Sequence, residues 1–186
     1  VFPSATCLDL PDFDVSDPAT VETYPWQQVD TILNAAAFTA VDAAETAEGR
    51  RACWASNVSG VAALCRVAAE HRITLVHISS DYVFDGTRQS HDEAEPFSPL
   101  GVYGQTKAAG DALVAQLTRH YIVRTSWVIG DGRNFVRTMA GLAAKGASPV
   151  VVDDQIGRLT FTEDLAAGVA HLLASAAEFG TYNLTN

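Results

Sequence analysis

Short apolar runs alternate with amphipathic stretches along most of the 186-residue chain. The run 73–80 is apolar on both faces for most of its length, which is typical of a central strand in a parallel sheet. Further strands are predicted at 29–34, 121–129, 149–152 and 181–184, with a short one inside 1–17 before an Asp-rich turn. Because helices are predicted between the strands, the chain should form an α/β, doubly wound parallel sheet (Rossmann-like) that binds ligands at the carboxyl ends of its strands.

Capping residues mark where the predicted helices begin. Ser98 is a suitable N-cap with Pro99 at the first helical position, and the Ala- and Leu-rich run that follows predicts a helix to Leu117. The stretch 43–71 has helical spacing that is broken near Asn57, which predicts one long helix or two abutting helices. The polar stretch 87–98 has no periodicity and predicts a loop of the kind that forms lids or binding segments. Other helices are predicted to start at Pro18, Asn134 and Thr162.

Composition excludes several classes of partner. The formal net charge is −10, and the 12 Lys and Arg residues form no basic run, so no nucleic-acid partner is predicted. The chain has no apolar run of the ~18 residues that a membrane span needs and no signal pattern, so no membrane partner is predicted. The 3 cysteines are unpaired in the sequence pattern, which fits reduced thiols and predicts a cytoplasmic location.

Tyr103 and Lys107 are the first candidates for chemistry, because they lie four residues apart on one face of the helix predicted after Ser98. An unperturbed tyrosine with a pKa of about 10 is a poor acid–base catalyst, and a neighbouring cation would favour the phenolate. Such a pair also occurs by chance in many helices. The fold makes it more specific, because Ser80 ends the central strand and its hydroxyl could bind the same substrate oxygen as the phenol.

Five motifs follow one another along the chain. They are NAAAFTAVDAAE at 34–45, SSDYVFDG at 79–86, YGQTK at 103–107, RTSWV at 124–128 and VDDQIG at 152–157. Through these motifs the chain resembles the extended short-chain dehydrogenase/reductases, and within them it is most similar to the dTDP-4-dehydrorhamnose reductases. The resemblance covers nearly the whole chain.

The resemblance implies a role for each candidate residue. Tyr103 would protonate the C4 oxygen of a sugar, and Lys107 would hold the nicotinamide ribose and lower the phenol pKa. Ser80 stands where the family usually has threonine, and it keeps the hydroxyl that binds the same oxygen. By residue type alone, Trp127 is more often a core aromatic and Asp14 a turn or capping residue. The implied substrate contacts are Ser80, Asp81 and Trp127, and the implied cofactor contacts are Asp14, Val15, Ala37, Phe38, Thr39, Tyr103 and Lys107.

The implied activity is NADPH-dependent reduction of the C4 keto group of dTDP-4-dehydro-L-rhamnose to give dTDP-L-rhamnose, a step of nucleotide-sugar and cell-surface polysaccharide biosynthesis. NADH as the cofactor and a homodimer stay open. Some family members are described as using Mg²⁺, but the acidic residues here form no metal-ligand pattern, so no metal site is predicted. Two alternatives remain: an epimerase or dehydratase of the same superfamily, and a non-catalytic, reductase-like regulatory subunit. The Ser80, Tyr103 and Lys107 set weighs against the second alternative.

The resemblance also predicts an incomplete domain. The family begins with a strand and a glycine-rich loop that cradles the cofactor pyrophosphate, and no such glycine pattern precedes Asp30. Residues 1–186 are therefore expected to be part of an NAD(P)-binding Rossmann-like reductase domain, incomplete at both ends, with the substrate-binding part starting at about 149. These residues alone are expected to bind NADPH weakly or not at all.

Overall fold

A computed structural model describes residues 1–132 and 134–186 of the chain. Its main sheet has four strands in the order β1-β2-β3-β6, and a second sheet pairs β4 with β5. The pairs β1–β2, β3–β6 and β4–β5 are each parallel. This confirms the predicted α/β fold with a parallel sheet. The strands are β1 Thr31–Asn34, β2 Thr74–Ser80, β3 His120–Thr125, β4 Val128–Ile129, β5 Thr160–Phe161 and β6 Gly180–Asn183.

Helices connect these strands. Among the described residues none of them is long and apolar enough to cross a lipid bilayer. The α-helices are α1 Pro18–Thr23, α2 Val41–Ala44, α3 Ala47–Trp54, α4 Val61–His71, α5 Val102–Val114, α6 Phe135–Ala144 and α7 Thr162–Ala174.

The chain divides into two compact units. The larger unit consists of residues 3–124 and 178–183, and the smaller unit consists of residues 1–2, 125–177 and 184–186. The main apolar core lies in the larger unit, where α4 and α5 pack against the sheet through Leu64, Leu75, Val114 and Ile122, each no more than 3% exposed. Burial of this apolar surface is the main stabilising contribution to the unit, at roughly 25 cal/mol per Å².

The break predicted near Asn57 is confirmed. Helices α3 and α4 are joined by one π-helical turn, Ala55–Gly60, which turns the side chain of Asn57 into the interior. Residue 60 is a glycine because the turn lies directly on the backbone of Val15. A Cβ at residue 60 would come within 2.5 Å of the Val15 carbonyl oxygen.

Helix α5 begins three residues later than its sequence predicts. The hydroxyl of Ser98 accepts a hydrogen bond from the Asp85 amide at 3.0 Å and does not cap the helix. The first helical amide, that of Val102, donates instead to Oε1 of Glu45 at 2.7 Å. A carboxylate distant in sequence therefore stabilises the start of α5. The helix ends at Val114 and does not reach Leu117.

Three strand predictions are wrong in whole or in part. The segment 1–17 forms turns, because Asp14 Oδ1 accepts from both the amide and the hydroxyl of Ser16. The run 121–129 is broken after β3, because Trp127 adopts a left-handed backbone with φ of 38°. The segment 149–152 forms no strand, and the fully exposed side chain of Val150 has no apolar surface to favour one.

Candidate active site

The larger unit brings Ser80 and Tyr103 together, as the sequence predicts. Strand β2 ends at Ser80, whose Oγ accepts a hydrogen bond from the Tyr82 amide at 3.2 Å and so starts a single turn of 3₁₀ helix. Oγ of Ser80 donates to Oδ1 of Asp81 at 3.2 Å. The hydroxyl also lies near enough to the phenol of Tyr103 on α5 to lower the pKa of that phenol. The Tyr103 side chain is half-buried. A hydroxyl and a phenol therefore meet at the carboxyl end of a central strand.

Gly104 allows this meeting, because α5 lies directly against the backbone of the turn after β2. A Cβ at residue 104 would collide with the carbonyl oxygen of Tyr82. The close approach also sets the rings of Tyr82 and Tyr103 edge to face, with centroids 5.7 Å apart and an interplanar angle of 84°.

Gly104→Ala is expected to push α5 away from Tyr82 and to lower the free energy of unfolding by about 1–3 kcal/mol, the usual cost of overpacking. Gly141→Ala is the matched control, since a Cβ at this position in α6 would meet no other atom within 4 Å. A helical alanine there should be neutral or stabilising by about 0.5–1 kcal/mol. Urea unfolding of both variants measures the difference. Equal stabilities would contradict the proposed contact with Tyr82.

Lys107 lies one turn further along α5 and is only 2% exposed. Its Nζ donates to the carbonyl oxygen of Ile78 at 2.7 Å and lies 3.4 Å from Nε2 of His77. Burial lowers the pKa of Lys107 to about 8, although the nearby Asp111 and Cys53 favour its charged form. The side chain is therefore mainly an ammonium at neutral pH and loses its charge under mildly alkaline conditions.

Burial has the largest effect on the phenol of Tyr103. It raises the pKa of this group to about 12; the Ser80 hydroxyl lowers the pKa, and the charge of Asp81 raises it further. The ammonium of Lys107 is directed to the Ile78 carbonyl oxygen, and its effect on the phenol pKa stays a prediction. Tyr103 therefore keeps its proton at neutral pH.

Asn57 is a buried residue that fixes the chain after β1. Its Oδ1 accepts from the Phe38 amide at 2.8 Å, and its Nδ2 donates to the Phe38 carbonyl oxygen at 3.2 Å. The same Nδ2 donates to Oγ1 of Thr106 on α5 at 3.0 Å. The amide side chain thus pairs with Phe38 as a neighbouring strand would and ties that segment to the helix that carries Tyr103.

Asn57→Ala is expected to lower the free energy of unfolding by about 1–3 kcal/mol, because it leaves the amide and carbonyl groups of Phe38 without these partners. Hydrogen exchange gives the specific measurement: the Phe38 amide should exchange faster in the variant while amides of β2 keep their protection. Unchanged protection at Phe38 would show that Asn57 does not hold this segment.

Phe38, one of the predicted cofactor residues, lies near Tyr103. Phe38 and Tyr103 both pack against one small buried cluster formed by Ala44, Cys53 and Val102. Ala37 precedes Phe38 and is half-buried, while Thr39 follows it and is exposed.

Asp14 and Val15 have local structural roles. Asp14 closes a turn through Ser16, in keeping with its residue type, and the carbonyl of Val15 lies against Gly60. Their cofactor role stays a prediction.

Two of the three predicted substrate contacts, Asp81 and Trp127, belong to different units. Asp81 follows Ser80 in the larger unit, and its charge raises the pKa of both Tyr82 and Tyr103, which places it close to both phenols. Trp127 belongs to the smaller unit. There its ring lies so close to Gly157 that a Cβ would come within 2.6 Å of the indole Nε1.

Three buried polar residues near Lys107 were not predicted from the sequence. His77, Asp111 and Arg124 are each at most 5% exposed. One signal was available: Asp111 follows Lys107 by four residues and continues the face of α5 that carries Tyr103 and Lys107. Across the described residues, no group of three or more His, Cys, Asp or Glu side chains is arranged to hold a metal ion.

Comparison with known proteins decides the family. Residues 4–186 match the RmlD substrate binding domain. This chain belongs to the RmlD substrate binding domain family. The match confirms the resemblance on which the sequence analysis depends.

Relatives of this RmlD-family chain include a dTDP-4-dehydrorhamnose reductase from Aggregatibacter actinomycetemcomitans, 38% identical over 96% of this chain and 63% of the relative. A dTDP-4-dehydrorhamnose reductase from Salmonella typhimurium is 42% identical over 88% of this chain and 55% of the relative. The crystal structure of dTDP-4-dehydrorhamnose reductase from Bacillus anthracis in complex with NADP superposes with a TM-score of 0.87, at 34% identity, over 96% of this chain and 64% of that one. The chain thus spans less than two thirds of the length of these relatives.

Proposed function

We propose that the protein is an NADPH-dependent reductase that converts the C4 keto group of dTDP-4-dehydro-L-rhamnose to the alcohol of dTDP-L-rhamnose. The observation that carries the proposal is the position of the Ser80 hydroxyl, at the end of β2, beside the phenol of Tyr103, with Lys107 one turn away on α5. The names of the relatives and the NADP in the Bacillus anthracis structure support it.

Ser80 and Tyr103 have the chemistry that ketone reduction needs. Both groups can donate a hydrogen bond to one carbonyl oxygen, which stabilises the negative charge that develops there. Tyr103, with a pKa of about 12, keeps its proton at neutral pH and transfers it to the alkoxide oxygen, a much stronger base than a phenolate. Lys107 stays charged beside the site and favours the phenolate that remains.

The segment after β1 suits a nicotinamide cofactor, which would supply the hydride to C4 when bound. Asn57 holds Phe38 in place, and the exposed Ala35 and Ala36 leave the strand end open to a planar group. The residues proposed to hold the cofactor are Asp14, Val15, Ala37, Phe38, Thr39, Tyr103 and Lys107. Ser80, Asp81 and Trp127 are the proposed contacts of the dTDP-sugar, with the substrate-binding part starting at about 149. A homodimer, a cytoplasmic location, NADH as an alternative cofactor and a role for Mg²⁺ stay predictions.

The pH dependence of the reaction should follow Lys107. The pKa of Lys107 is about 8, so its side chain is fully charged well below pH 8 and loses its charge as the pH rises through 8. Tyr103 keeps its proton to about pH 12. We expect kcat/KM for reduction to fall along a one-proton limb centred near pH 8. A pH–rate profile measures this limb. A profile that stays flat to about pH 10 would contradict a catalytic role for the Lys107 charge.

The assay that tests the function follows NADPH oxidation by the full-length protein, with any flanking residues that its gene encodes, in the presence of dTDP-4-dehydro-L-rhamnose. One NADPH should be consumed for each sugar reduced. Sugar conversion without net NADPH loss would favour the epimerase or dehydratase alternative. NADPH binding without any conversion would favour the regulatory subunit.

A further inference from the structure

A row of buried polar groups continues from Lys107 away from Tyr103. Nε2 of His77 lies 3.4 Å from Lys107 Nζ and 4.0 Å from Oδ1 of Asp111. The other carboxylate oxygen of Asp111, Oδ2, accepts from Nε of Arg124 at 3.0 Å. One oxygen of the carboxylate is therefore held by Arg124, and the other lies toward the imidazole that neighbours Lys107.

His77 does not supply a charge in this row. Burial and the neighbouring Lys107 lower the pKa of His77 well below its usual value, so the imidazole is neutral at physiological pH. Its Nδ1 lies 3.0 Å from Nδ2 of Asn34 in β1. The groups that act electrostatically on Lys107 are thus Asp111 on the same helix and Cys53 on α3, while His77 on β2 stays neutral.

Arg124 is held in place from the other side. Its guanidinium lies over the rings of Phe84 and Phe97, at 5.2 Å from each centroid, and its NH1 donates to the carbonyl oxygen of Glu93 at 3.2 Å. These three partners belong to the segment that follows β2 and leads into α5. The segment therefore fixes Arg124, and Arg124 fixes the carboxylate of Asp111.

We propose that Asp111 is a positioning residue, which, held by Arg124, supplies the buried negative charge that keeps Lys107 in its ammonium form. An uncompensated cation in the interior would favour the neutral amine. The carboxylate one turn away on α5 opposes this effect of burial, and Arg124 keeps it from turning toward solvent. Asp111 acts through Lys107, so its effect on catalysis rests on the proposed function.

The protonation of Lys107 can be measured without substrate or cofactor. Residues 1–186 contain two lysines, Lys107 and Lys145, so ¹³Cε-lysine labelling of the full-length protein gives few signals from this region, and Lys145→Arg and Lys107→Met assign them. Titration of the Lys107 signal gives its midpoint. In Asp111→Asn this midpoint should fall, with a proton affinity at least about tenfold weaker than in the parent protein. Asp111→Glu, which keeps the charge, should lie near the parent value.

A double variant separates this effect from the effect of an unpaired Arg124. In Asp111→Asn with Arg124→Met both charges of the pair are absent, and the Lys107 midpoint should still lie below the parent value. This variant also serves if Asp111→Asn alone does not fold. A parent-like midpoint in the double variant would overturn the proposal.

The pH–rate profile supplies the catalytic readout. If Asp111 supports catalysis through Lys107, the alkaline limb of kcat/KM should move to lower pH by the same amount as the midpoint in each variant. If the titration midpoint of Lys107 moves while the alkaline limb of kcat/KM stays in place, the positioning role of Asp111 in catalysis would be overturned. Absence of any reductase activity in the parent protein would count against the proposed function. The titration would then still decide whether Asp111 keeps Lys107 in its ammonium form.

Discussion

Replacement of Tyr103 by Phe is expected to lower kcat for reduction of the keto sugar by about 10³-fold, within the range of general acid catalysis. The variant loses the proton donor and one of the two hydrogen bonds to the C4 oxygen, while the ring keeps its packing against Ala44, Cys53 and Val102. Its stability and its affinity for NADPH should therefore change little. Steady-state kinetics with a thermal unfolding curve measure both properties.

Tyr82→Phe is the matched control for this prediction. It removes a phenol hydroxyl from Tyr82, whose ring contacts that of Tyr103 edge to face with centroids 5.7 Å apart. Tyr82 has no proposed role in the chemistry. The control should retain most of the parent rate. An equal loss in both variants would show that the hydroxyls act through the local structure, and an unchanged rate in Tyr103→Phe would exclude Tyr103 as the acid.

Replacement of Lys107 by Met is expected to lower kcat/KM by about 10²–10³-fold, because the charge that favours the Tyr103 phenolate and the proposed contact with the cofactor are both lost. The fold should survive, since Asp111 keeps its ion pair with Arg124. The carbonyl of Ile78 loses the ammonium as a partner, which should lower stability by about 1–3 kcal/mol.

Lys145→Met is the control for the loss of a lysine, since Lys145 is exposed at the end of α6. It should leave kcat/KM and the pH profile unchanged. The informative comparison is the alkaline limb near pH 8, which should be present in the control and absent in Lys107→Met. A limb that persists in Lys107→Met would assign it to another group.

Residue spacing was sufficient to predict where the three candidate catalytic residues lie in the fold. Tyr103 and Lys107 share a helix face because they are four residues apart, and Ser80 ends the most strongly apolar strand. Parallel strands place their carboxyl ends at one edge, which is why Ser80 could be predicted to meet the following helix. These relations depend on local periodicity and on one rule of topology.

The features that were missed depend on contacts between residues distant in sequence. The start of α5 at Val102 is set by Glu45, which lies 57 residues earlier. The interior position of Asn57 depends on Phe38 and Thr106, and the burial of Asp111 depends on Arg124. The high pKa of Tyr103 follows from its burial, which no spacing pattern reveals.

Two strand predictions failed for different reasons. The apolar residues at 149–152 favour a strand by composition, but Val150 is fully exposed and the segment has no regular pairing in the part of the chain that the structure describes. The run 121–129 fails for a different reason, because the left-handed backbone of Trp127 interrupts it between β3 and β4.

A crystal structure of the full-length protein with NADP and dTDP-L-rhamnose bound tests the proposed catalytic site most directly. The predicted result is a C4 oxygen within about 2.6–3.2 Å of both the Tyr103 phenol and the Ser80 hydroxyl. If the crystalline protein is active and the C4 oxygen hydrogen-bonds to neither group, the assignment of both residues would be contradicted.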